Sequence, residues 1–176
     1  QHYGISTLKT ILQQTISRNG IDAVDVALNT IGTSFVEVFK EWTIANYFKD
    51  IYYSNGQLFA TITFTQLAYG GSRSDFSRDV IDWGADYYVV TSSVIYMPMQ
   101  FVGGSHHNLT KVLIEHGELL ISDFLLFIPY AGSYWLMQAN NLDKIVIIVR
   151  SLGTETSNDR TAYTLTWLSS SQTLYG

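Results

Sequence analysis

The sequence predicts an α+β fold: a small N-terminal helical subdomain of three helices, followed by an antiparallel β-sandwich. Up to residue 50 apolar residues recur every three or four positions, and from residue 57 they recur every second position in short runs separated by turn residues. An apolar share of 47% in 176 residues supplies material for a packed core.

In the first helix Ile5, Leu8, Ile11, Leu12 and Ile16 share one face, and Arg18, Asn19 and Gly20 form its expected end. Ile21, Val24, Ala27, Leu28 and Ile31 mark a second helix, with Gly32 placed for a left-handed cap. The stretch "TSFVEVFKEWTIANYFKD", residues 33 to 50, reads as a third. Thr33 or Ser34 can cap it, and Ser34 with Glu37 fits a reciprocal capping box worth about 1 kcal/mol. Its stripe of Phe35, Val38, Phe39, Trp42, Ala45 and Tyr47 or Phe48 is too wide for three short helices to bury among themselves. The stripe is expected to pack against a neighbouring domain.

The strands begin with "GQLFATITFTQL", where Leu58, Ala60, Ile62 and Phe64 alternate with threonines. "DYYVVTSS", "VIYMPMQFVG", "KVLIEHG", "LLISDFLLFIPY", "GSYWLMQ", "KIVIIVRSL" and "TAYTLTWLS" follow. Short runs at this spacing predict a sandwich of jelly-roll or immunoglobulin-like type, with domains at residues 1–50 and 57–176. The polar stretches 69–79 and 152–161 read as loops.

Charged residues make up 14% of the chain, the net charge is -5 and no Lys/Arg run occurs, so no nucleic-acid partner is expected. No apolar run reaches the roughly 18 residues of a membrane span. The absence of cysteine removes disulfides and thiolate chemistry. A surface of Ser, Thr, Asn, Gln and Tyr predicts an extracellular or cell-surface setting, and the start at Gln1 predicts a piece of a longer polypeptide.

The segments "HYGISTLKTIL", "NGIDAVDVALNTIG" and "SFVEVFKEWTIANYFKD", with Trp42, Ala45, Asn46, Tyr47 and Asp50, resemble the sequence that follows the zinc-binding helix in secreted metallopeptidases of the HExxH superfamily. "WGADYYVVTS" and "KIVIIVRSLGTETSNDRTAYTLTW" resemble the β-sandwich often fused behind such domains. The resemblance implies the C-terminal part of a peptidase domain with its appended sandwich, an upstream peptidase domain as partner, and zinc in the parent protein. A zincin needs two His at i and i+4 with a Glu between them. His2, His106, His107 and His116 offer no such pair, so no catalytic residue carries over and no cofactor is expected within this chain.

Candidate sites remain in the β half. Asp79, Asp82 and Asp86, with Asp75, surround Trp83, and oxygen-rich loops of this kind bind calcium, although the spacing fits no EF-hand. Tyr87, Tyr134 and Trp135, among aromatics that include Tyr88, Tyr163 and Trp167, could form a stacking platform for a protein or glycan surface. His106 and His107 read as a solvated loop, and Asn108-Leu109-Thr110 is a glycosylation acceptor pattern. The leading expectation is a non-catalytic C-terminal region of a secreted metallopeptidase-like protein. A free-standing carbohydrate-binding or adhesion module, and a structural surface-layer or virion component, are the alternatives.

Overall fold

The computed structural model describes residues 4–18, 20–48, 62–67, 74–90, 96–103, 107–115, 118–124, 134–138, 144–153 and 160–167. The chain divides into two compact units, Gln1–Ile62 and Thr63–Gly176. The first holds helices α1 (Gly4–Gln14), α2 (Gly20–Asn29) and α3 (Phe35–Tyr47). The described strands of the second are β1 (Phe64–Leu67), β2 (Ser74–Ile81), β3 (Ala85–Val90), β4 (Tyr96–Val102), β5 (His107–Glu115), β6 (Glu118–Phe124), β7 (Tyr134–Gln138), β8 (Lys144–Ser151) and β9 (Arg160–Trp167). Helices first and strands after is the α+β order that the change of period predicts.

The helix ends follow local chemistry. Gly32, at φ 79, lets Thr33 N donate back to Leu28 O at 3.3 Å, closing α2 as expected. Ser34 is extended and its Oγ accepts from Glu37 N at 3.2 Å, while the Glu37 carboxylate takes Lys40 Nζ at 3.1 Å. A second cap comes from outside the local sequence: Asp25 Oδ1 on α2 accepts from Phe35 N at 2.6 Å, and Asn29 Nδ2 donates to Asp25 Oδ2 at 3.0 Å. Gly20, expected to close the first helix, instead opens α2 with φ 54.

The described strands of the β unit form two sheets, ordered β1-β3-β8-β5-β6 and β2-β9-β4-β7. Among the described residues the pairings are antiparallel, as predicted, apart from β1 with β3, which runs parallel. The sheets meet through Tyr88, His107, Phe101 and Tyr163, which sets the inner face. Register then places Asp86, Tyr88, Leu109, Ile147 and Val149 inward, and Tyr87, Val89, Thr110, Val112, Val146, Ile148 and Arg150 on the opposite face. All of these except half-buried Asp86 are buried, so the five-stranded sheet is covered on both faces along β3, β8 and β5. Burial on both faces explains why "IVIIV" in β8 is continuously apolar rather than alternating.

Two loop expectations are corrected. Residues 74–79 are strand, because β2 pairs with β9 over eight positions from Ser74 with Trp167 to Ile81 with Arg160. Its charged residues belong to an edge strand, where they discourage further pairing. Arg160 and Thr161 are likewise in β9. Residues 69–73 and 154–159 of those stretches, and 57–61 of the first expected strand, lie outside the described residues.

Candidate functional site

Period two brings Tyr163 of β9 to the inner face beside Leu165, and the stacked sheets carry it to β3 and β5. Tyr163 Oη donates to Asp86 Oδ2 at 2.6 Å, and Tyr88 Oη lies 2.5 Å from Tyr163 Oη. The single Tyr163 proton is committed to the acceptor-only carboxylate, so Tyr88 donates to Tyr163. The two rings meet edge to face at 6.5 Å. Phe101 stacks on Tyr163 at 5.7 Å, and the buried His107 ring packs edge-on against both. Burial pushes the Tyr163 hydroxyl far above its ordinary range, and its bond to Asp86 raises it further. Burial also raises Tyr88. Both phenols therefore stay protonated, and the cluster acts as a polar clasp between the sheets. Arg78 Nη2, 3.4 Å from Thr65 Oγ1 of β1, spans the same side of the sandwich.

His107 corrects the reading of a solvated loop. It opens β5, opposite Ser151, because alternation with Leu109 already begins there. His106 lies outside the described residues. Behind it, Arg150 is fully buried: Nη1 donates to Asn108 Oδ1 at 2.9 Å and to Thr110 Oγ1. Both polar residues of the glycosylation pattern are thus interior, and Asn108 Nδ2 is buried with no partner.

The three candidate carboxylates have separate surroundings. Asp79 is exposed opposite Ala162, Asp82 Oδ1 accepts from Ser151 Oγ at 3.0 Å, and Asp86 belongs to the clasp. Among the described residues no group of three or more His, Asp or Glu side chains gathers as metal ligands would. Asp82 sits in a tight corner where the chain passes from one sheet to the other. There Trp83 holds φ 57, with Trp83 N donating to Ser151 O at 3.0 Å and Ser151 N to Gly84 O at 3.1 Å. Gly153 follows at φ 69 directly against the Trp83 indole, where a Cβ would collide.

Tyr87 is buried, so its ring does not contribute an exposed stacking face. Tyr134 and Trp135 fall on β7, the edge of the four-stranded sheet, opposite Gln100 and Met99. Their side chains lie outside the described residues. The clasp residues were legible only in part: Tyr163 and Tyr88 stand out as aromatics in alternating runs, but nothing local links either to Asp86.

The helical unit holds the other notable surface. The buried residue of α1 is Thr7, whereas Ile5, Leu8, Leu12 and Ile16, along the expected core face, are 66%, 60%, 68% and 87% exposed. An apolar groove of about 300 Å³ runs between the three helices, lined by Ile5, Leu8 and Ile11 of α1, Val24 and Leu28 of α2, and Phe35 and Val38. On α3, Phe39 is buried but Trp42 is 48% exposed.

Comparison of the sequence with family models and with curated proteins finds no match. Solved structures of similar shape include PliG from Aeromonas hydrophila, a periplasmic inhibitor of g-type lysozyme, at 12% identity and a TM-score of 0.41 over 60% of this chain and 95% of that one. A mutant of Escherichia coli PliG, also an inhibitor of g-type lysozyme, matches at 12% and 0.42, over 59% and 95%. The pre-peptidase C-terminal domain of a Bacillus anthracis collagenase matches at 11% and 0.34, over 60% and 94%. No helix among the described residues is long and apolar enough to cross a membrane.

Proposed function

We propose that this chain is a non-catalytic C-terminal region of a secreted or cell-surface metallopeptidase-like protein. Its helical unit completes the upstream peptidase domain, and its β-sandwich is an accessory module for binding a substrate or surface. The observation that carries this reading is the face that α1 turns outward. A helix with three large aliphatic side chains in water, Ile5, Leu8 and Leu12, and Ile16 exposed just past its end, beside an apolar groove, calls for a partner. The resemblance of the three helices to the segment behind a zinc-binding helix supplies that partner from the same polypeptide. Zinc then belongs to the upstream domain, and calcium at Asp79, Asp82 and Asp86 is a separate proposal.

Intact mass and N-terminal sequencing of the protein purified from its source test this reading. A preceding helix with the His-Glu-x-x-His pattern is expected. A native protein that begins at Gln1 overturns it.

A further inference from the structure

We draw no further inference here: the strongest candidate, the apolar groove between the three helices that continues along the exposed Ile5, Leu8 and Leu12 of α1, belongs to the surface already given to the upstream domain, and nothing in the structure shows what else covers it.

Discussion

Tyr163 of one sheet donates its phenolic proton to Asp86 of the other at 2.6 Å, beside the packed rings of Phe101, His107 and Tyr88. Tyr163 is buried and Asp86 half-buried, so the bond adds little when made and costs more when half removed, because water replaces the lost partner only in part. The clasp therefore specifies how the two sheets face each other.

Tyr163→Phe keeps the ring and removes the hydroxyl, and with it the bonds that hydroxyl makes to Asp86 and Tyr88. A loss of about 2 kcal/mol is expected. Urea unfolding should show a lower midpoint with an unchanged slope.

Alkali should act through the same pair. Burial raises both phenols above their ordinary value of 10.0 in the folded chain, whereas in the unfolded chain they ionise near that value. Their contribution is complete below about pH 10 and is lost as pH rises toward the folded values, because only the unfolded state gives up the protons. The urea midpoint should hold steady up to about pH 9 and fall above 10, and Tyr163→Phe should flatten that fall.

On α1, the double variant Leu8→Ser, Leu12→Ser changes side chains that already sit in water. Stability should move by no more than about 0.5 kcal/mol. Binding of an apolar fluorescent dye by the chain should drop, and an unchanged dye signal would show that the stripe is not the accessible apolar surface.

Gly103→Ala tests how tightly the ring cluster is packed. The new methyl is driven against Phe101, which Tyr163 and His107 hold from behind. A cost of about 1–3 kcal/mol is expected from overpacking, read as a lower thermal midpoint.

Much of the architecture was legible because it rests on neighbours in sequence. Ser34, Gly32 and the three-four spacing define helix ends and periods within a turn or two of themselves. Threonines alternating with Tyr163, Leu165 and Trp167 announce β9 in the same local way. Residues 74–79 were harder: their charges resemble a loop's, and only the eight-residue pairing with β9 makes them a strand.

Which apolar face becomes core could not be read along the chain at all. The stripe of α1 is the most regular in the sequence, yet Thr7 is what the helix buries, since burial depends on which helix lies across it. Likewise Tyr88 and Tyr163 are 75 residues apart, Asp86 and Tyr163 are 77, and their bonds exist only because two sheets stack. Period, caps and composition are short-range properties carried by the residues themselves. Contacts between faces belong to the packing of whole elements, and here they decided the clasp and the buried Arg150.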